Sequence, residues 1–501
     1  GTEGSTPGFF WSPDGKWIGF FVGDKLKRAF LSGGSVETLC TGMPVDPYRA
    51  EANSSGTVLA WFESQPILRI SLDDCSVKSA TRLDRSGNEV GHGAPHFLPD
   101  GKHFLFTSIA ADRRHRVMLA SLDSMEATPL LLNASYPYYV EPGYVVFSRQ
   151  GNLLAQPFDL RTLRASGEAF RVVHEKAFFY ETYGYADYSA SVNGVLAYQP
   201  ERNLTTALVW MDRAGKRLET ISGDQPAGSA RLSPDGRRIV AMRFHVESHA
   251  GDVWTYDLKG RTWTQVTFRE APGDNVSLWS ADGSQIIYGA YPQAKATFFR
   301  RRAQPEGSDE LLLEGGGDNH ITPIDVSPDG KLLLYEAYEA QRTKVGYDLM
   351  LLPLEGKHTP QPFLASPSAE RGGHFSPDGQ WVAYSSDETG RPEIYLRPFS
   401  SPNPKLRVTQ DGGTWPVWRR DGKELFYLSL DKRVMSVSVQ LGPAPKAGPP
   451  QALFPTDKDT ADFAVSADGR RFLLTQPAGT SQATLPIRVV VNWTAELQNK
   501  K

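Results

Sequence analysis

Residues 373–385 read GHFSPDGQWVAYS, a short strand, a four-residue turn and a second strand. Pro377 presets φ at the second turn position, Asp378 can accept from nearby backbone amides, and Gly379 tolerates positive φ. Trp381 to Ser385 are β-formers, and Asp387-Glu388-Thr389-Gly390 is a second turn. Glu393 to Arg397 alternate as a half-buried strand does. After a Pro/Ser-rich connection at Ser400 to Pro404, Leu406 to Thr409 supply a fourth strand, and the chain starts again at Trp415. Four antiparallel strands with no helical stretch between units describe a β-propeller blade.

The same phrase recurs from end to end. Strong copies start at Trp11, Phe97, Leu232, Trp279, Val326, Phe375, Trp418 and Val465, and weaker ones at Asn53, Val140 and Ser191. Their anchoring glycines are Gly15, Gly56, Gly101, Gly143, Gly194, Gly236, Gly283, Gly330, Gly379, Gly422 and Gly469, spaced 41 to 51 residues apart. That period is the one expected of propeller blades, whereas a β-sandwich needs no fixed period. The fold class is therefore all-β, tandem β-propellers of about eleven four-stranded blades.

Six copies follow residue 225 and five precede it. This predicts an N-terminal propeller over 1–215 with five blades and a C-terminal six-bladed propeller over 216–501. The last repeat offers a third strand at Ile487 to Val491 and no fourth. The expectation is that Arg217 to Ile221 closes the second ring by pairing antiparallel with that strand, because an uncovered edge invites aggregation.

Bulk composition narrows the partners. A formal net charge of −3 gives no electrostatic reason to expect nucleic acid. No run of 18 apolar residues occurs, so no membrane contact is expected from these residues. The opening GTEGSTPGFF lacks a basic and then apolar leader, so any export signal or anchor is expected upstream. The two cysteines, Cys40 and Cys75, match no metal spacing. Cys40 ends a fourth strand and Cys75 follows a third, which puts them at opposite faces of a ring, and they are expected to be unbonded.

GTEG, FWSPDGKWIGFF, GGSVETLC, FLPDGKHFLF, GNLLAQPFD, SVNGVLAY, LVWMDRAGK, FSPDGQWVAYSSDETGRPEIYLRPF, WRRDGKELFYLS and VVVNWTAEL occur in that order. In this the chain resembles TolB-type, WD-repeat-like propellers, and more closely the C-terminal sensor region of acidobacterial-type serine/threonine protein kinases. The resemblance implies a kinase domain in cis, upstream of a membrane-spanning helix. It also implies an extracytoplasmic (periplasmic or cell-surface) location, and a further blade before GTEG that would make the first ring six-bladed.

Motifs for chemistry are scarce. No G-x-G-x-x-G, H-R-D or D-F-G occurs, and no G-x-S-x-G elbow. His245 with His249, and His92 with His96, have i, i+4 spacing but lie on no helix, so they read as surface or turn histidines and no metal site is expected. The turn aspartates Asp14, Asp100, Asp235, Asp282, Asp329, Asp378, Asp421 and Asp468 repeat one structural position, which argues for turn chemistry. Two aromatic clusters stand apart, FFYETYGYADY at 178–188 and SYPYYVEPGY at 135–144. Tyrosine joins an apolar body to a polar tip and suits ligand contacts, or else packing between blades. The candidate ligand- or partner-binding residues are Phe179, Tyr180, Tyr183, Tyr185, Tyr138 and Tyr139.

Together these features predict a non-catalytic ligand- or protein-binding module, the sensor region of a kinase, with no cofactor and an unknown protein or small-molecule partner. The alternatives are a TolB-like envelope interaction scaffold and a propeller-fold polysaccharide lyase or hydrolase.

Overall fold

The turn read at 376–379 closes by a small hydrogen-bond set. The Trp381 amide donates to Ser376 Oγ at 2.9 Å, and Gln380 N–H to Asp378 Oδ1 at 3.0 Å. Gly379 N–H donates to the Ser376 carbonyl at 2.8 Å, with Gly379 at φ +71°. A side chain at that φ would be strained, hence glycine. The same serine-to-amide bond spans five residues at Ser12, Ser233, Ser280, Ser327 and Ser466. Serine hydroxyls and backbone amides hold Asp14, Asp235, Asp329 and Asp468 below the ordinary carboxylate range, and Asp282 at about 2.

These hairpins build an all-β chain of twisted antiparallel sheets in a computed structural model. It describes all residues except 1–7, 45–46, 63–64, 85, 87–88, 111–113, 181–183, 193, 202–205, 222–225, 245–250, 269–273, 291–294, 316–318, 340–345, 458–459, 461, 478–485 and 495–501. The chain divides into two compact units. Unit 1 is Gly1–Asn203 with Ala483–Lys501, and unit 2 is Leu204–Gln482.

Unit 1 has five blade sheets, with innermost strands Phe10–Trp11, Arg49–Ala52, Glu89–Phe97, Ser135–Val140 and Tyr188–Ala190. A two-stranded ribbon, Phe179–Tyr180 with Tyr185–Ala186, precedes the fifth. The innermost strands of unit 2 are Ala227–Leu232, Asp274–Trp279, Asn319–Val326, Glu370–Phe375, Thr414–Trp418 and Phe463–Val465. Each packs on the next and the last packs on the first, so unit 2 is a closed six-bladed ring around an axis. Apolar side chains between adjacent sheets form the cores, such as Leu334, Leu349, Phe375, Val382 and Tyr384.

The ends of the chain are exchanged relative to the sequence expectation. In the sixth sheet of unit 2, Phe463–Val465 and Arg471–Pro477 are joined by Thr206–Asp212 and then Arg217–Ile221. Arg217–Ile221 is outermost, but its neighbour is its hairpin mate Thr206–Asp212 and not 487–491. A four-residue connection closes that hairpin at far lower entropic cost than a pairing hundreds of residues away. Arg488–Val491 instead pairs with Val195–Tyr198, Leu196 opposite Val490, and is the third and outermost strand of the fifth sheet of unit 1. The boundaries 1–215 and 216–501 are corrected accordingly: the first unit takes back the terminal segment, and the second begins before Thr206.

Cys40 and Cys75 form a disulfide, Cα atoms 5.5 Å apart. Their strand assignments stand: Cys40 is in Glu37–Thr41, and Cys75 follows Leu68–Ser71. An opposite-faces placement requires strands parallel to the ring axis, and the strands of a blade are not parallel to it. Each sheet twists by about 20–25° per strand, so an outermost strand lies well across the axis and its end swings onto the next blade.

Two outcomes follow. A non-reduced digest will contain a Cys40–Cys75 linked peptide, and Cys40→Ser will cost unit 1 about 4 kcal/mol by loop-closure entropy, read by urea unfolding. Trp493 is buried in the same core as Leu196 and Tyr198. Trp493→Ala should cost about 3–5 kcal/mol and strip hydrogen-exchange protection from 188–198 while sparing 463–477.

Candidate functional site

Side chains alternate along a strand, and the turn glycine fixes the phase of each innermost strand. Five residues before it stand Glu51, His96 and Tyr138 in unit 1, and Arg231, Asp325 and His374 in unit 2. Seven before it stand Arg49, Tyr136, Trp415 and Asp462. In the blades of Ala94, Tyr136, Ser229, Gly372 and Trp415 the ladder slips by a bulge between these positions. Those five residues, all seven before the glycine, have φ of 48 to 60°, whereas the ladder of Arg49 and Glu51 is regular. A bulge bends the strand and re-aims a side chain. Tyr136 and Trp415 are large residues in a conformation that usually disfavours them, an outlier of the sort that marks functional sites.

In unit 1 these positions converge. The Arg49 guanidinium carbon lies 4.5 Å from the Tyr138 ring centroid and 5.0 Å from that of Tyr136, a cation–π arrangement. Glu51 Oε2 is 3.9 Å from Arg49 and 3.1 Å from His96 Nδ1. Burial pushes the Glu51 carboxyl up, but His96 and Arg49 hold it below its ordinary value, and an ionised carboxylate only accepts. His96 Nδ1 therefore carries the proton, and the imidazole leans on the Tyr138 ring at 5.1 Å.

Tyr136 stacks edge-on against Tyr185 at 5.1 Å, and Tyr138 sits 5.3 Å from Tyr188. The Tyr188 hydroxyl donates to the Tyr136 carbonyl, and that of Tyr185 to Asp187. Burial raises Tyr136 to about 12, against the pull of Arg49, and pushes Tyr185 and Tyr188 up as well. Near neutrality the site is thus an ion pair set in neutral phenols. Arg49 and Glu51 keep 16% and 24% of their side chains exposed, so solvent reaches the ion pair.

Tyr138 and Tyr185 are thus part of this cluster. Tyr139, one residue on, faces the opposite way into a core with Phe147 and Phe158. Phe179 is half-buried beside the cluster core, and Tyr180 lies on the same ribbon. Tyr183 lies outside the described residues. Arg49, Glu51, His96 and Tyr188 were missed, although the fixed offset from the turn glycine could have found the first three.

His92 and His96 are buried in Glu89–Phe97, a correction to their reading as surface residues. His92 Nε2 donates to Glu89 at 3.1 Å, and Nδ1 meets Thr81 Oγ1 at 2.8 Å. Glu89 also accepts from Ser108 and from the Asp84 amide. Burial would raise Glu89, yet the bonds from His92, Ser108 and Asp84 hold it at about 2. This network locks a blade. His245 and His249 lie outside the described residues.

No protein-family model matches the chain. A curated relative, the uncharacterised peptidase YuxL of Bacillus subtilis (strain 168), is 22% identical over 209 residues, 39% of this chain and 28% of that protein. The match thus spans under a third of the relative's length. Among solved structures, TolB from Acinetobacter baumannii aligns with a TM-score of 0.38 at 13% identity, covering 68% of this chain and 79% of that one. A puromycin-hydrolysing peptidase of Mycobacterium tuberculosis aligns with a TM-score of 0.36 at 11% identity, over 73% and 53%. The expectation of a non-enzyme is overturned by the match to YuxL, a curated relative named as a peptidase. A fold does not fix a chemistry, because function lives in the site grafted on it.

The lowered carboxyl of Glu89 sets a pH dependence. Its contribution to stability is fully present above the ordinary value of 4.5 and is lost as pH falls towards about 2. Glu89→Gln should flatten the acid limb of unit 1 unfolding between those values, measured by circular dichroism.

Proposed function

We propose that this chain is the polypeptide-binding propeller portion of a peptidase-type protein, with the unit 1 axis as a binding surface. The observation that carries this reading is Arg49, held between Glu51 and the faces of Tyr136 and Tyr138. A fixed ion pair among aromatic walls offers donors, an acceptor and apolar area together, which an extended chain with alternating polar backbone and apolar side chains can use. Arginine and tyrosine are also the residue types that dominate binding energy at interfaces. The peptidase name of the curated relative supports the assignment.

An envelope interaction scaffold of TolB type is the second reading, and the Cys40–Cys75 bond favours its location, because disulfides persist in oxidising compartments. A sensor of a kinase in cis would be a special case of the same binding role. An open reading frame that joins this region to a kinase domain and a membrane helix would support it, and one that joins it to a hydrolase domain would refute it.

The test is fluorescence anisotropy with labelled, unstructured casein peptides. The full chain should bind saturably, and Arg49→Ala should weaken binding about tenfold, ~1.4 kcal/mol, with the melting temperature of Tyr139→Phe as a folding control. No saturable binding, or Arg49→Ala binding as well as wild type, would reject the proposal.

A further inference from the structure

Unit 2 places a different set of groups at the same offsets, contributed by five of its six blades. Arg231, 12% exposed, donates from one terminal nitrogen to Asp462 Oδ2 at 2.9 Å and to the Ala230 carbonyl at 3.0 Å. Its guanidinium carbon lies 5.0 Å from the centroid of the Trp415 ring. Trp415 meets the His374 ring at 5.7 Å, and His374 Nδ1 is 3.6 Å from Asp325 Oδ2. That oxygen also accepts the Phe375 amide at 2.8 Å. Arg231 reaches from the first blade past the sixth to the Trp415 of the fifth, so this row lines the axis.

Several donors in the row stay open. Among the described residues, Arg231 Nε and its second terminal nitrogen, Trp415 Nε1 and His374 Nε2 are buried without a hydrogen-bond partner. Buried donors are rarely left so, and a bound species is a standard explanation. The two open nitrogens of Arg231 form the edge that grips a planar carboxylate bidentately, and the indole N–H can only donate.

We propose that the axis of unit 2 is a carboxylate-binding site, with the Arg231 edge taking both oxygens and Trp415 supplying a further N–H and an apolar wall for the attached carbon. Asp462 and Asp325 flank the site and penalise a dianion, so a monocarboxylate is favoured over phosphate. The carboxylate can come from a free small acid or from the C-terminus of a polypeptide. The site lies within unit 2 and stands independently of whether the unit 1 axis takes polypeptide.

The experiment uses the full chain with two probes. Acetate is followed by saturation-transfer NMR, and one fluorescein-labelled peptide, ending either in a free carboxylate or in an amide, is followed by anisotropy. At least one acid-ended probe should bind saturably, and Arg231→Lys, which keeps the charge and loses the fork, should weaken it at least tenfold. Trp415→Phe, which keeps a ring and loses the N–H, should weaken it severalfold even if Arg231→Lys lowers the melting temperature. A free-acid peptide at least tenfold tighter than its amide identifies a polypeptide C-terminus as the source. Binding of acetate with no such discrimination identifies a free acid. The proposal is overturned if neither acid-ended probe saturates, or if both variants bind as wild type does.

Discussion

A serine hydroxyl that accepts the amide hydrogen five residues further on is the constraint from which the rest of this fold follows. It recurs at Ser12, Ser233, Ser280, Ser327, Ser376 and Ser466. In these six blades the bond fixes where the innermost strand ends, and a slip by one residue would exchange its core face for its axial face. Because the phase is fixed, the residue four before the turn glycine, such as Phe375, packs into the core. The residue five before it turns to the axis. One turn thus sets both packing and site.

Unit 2 is closed by a strand borrowed across a long stretch of sequence, and unit 1 gains a strand in the same way. Thr206–Asp212 joins Arg471–Pro477 to close unit 2, and Arg488–Val491 returns to Val195–Tyr198 in unit 1. Each pairing fixes a very large loop, but the entropic cost of a loop rises only logarithmically with its length. The pairing also covers an edge that would otherwise be exposed. Trp493 shows the gain directly, since a residue near the end of the chain is buried in the core of unit 1.

The two axes use one set of positions for different chemistry. In unit 1 the arginine is held beside Glu51 and over two tyrosine rings, which gives a neutral, aromatic surface with a fixed dipole. In unit 2 the arginine keeps one edge open beside an indole. Substitution at two offsets changes what an axis can bind without touching the turns or the cores. That separation of scaffold from site is how one fold serves many functions.

The repeat alone determined the fold class, since a turn with proline, aspartate and glycine at fixed places followed by β-formers has one local structure wherever it occurs. It also located the strand that carries Cys40, the strand that Cys75 follows, and the segments holding Tyr138 and Tyr185. It could have located Glu51, His96 and Arg231, whose distance from the turn glycine is constant. Only the tertiary structure decided which distant strands join each unit, because β-pairing between segments hundreds of residues apart depends on which edges are left free. It alone joined Cys40 to Cys75, because twist accumulates over four strands and carries an outer strand end onto the next blade. It alone brought Arg49 over Tyr136 and Tyr138, since the bulge that turns Tyr136 to the axis has no glycine to announce it.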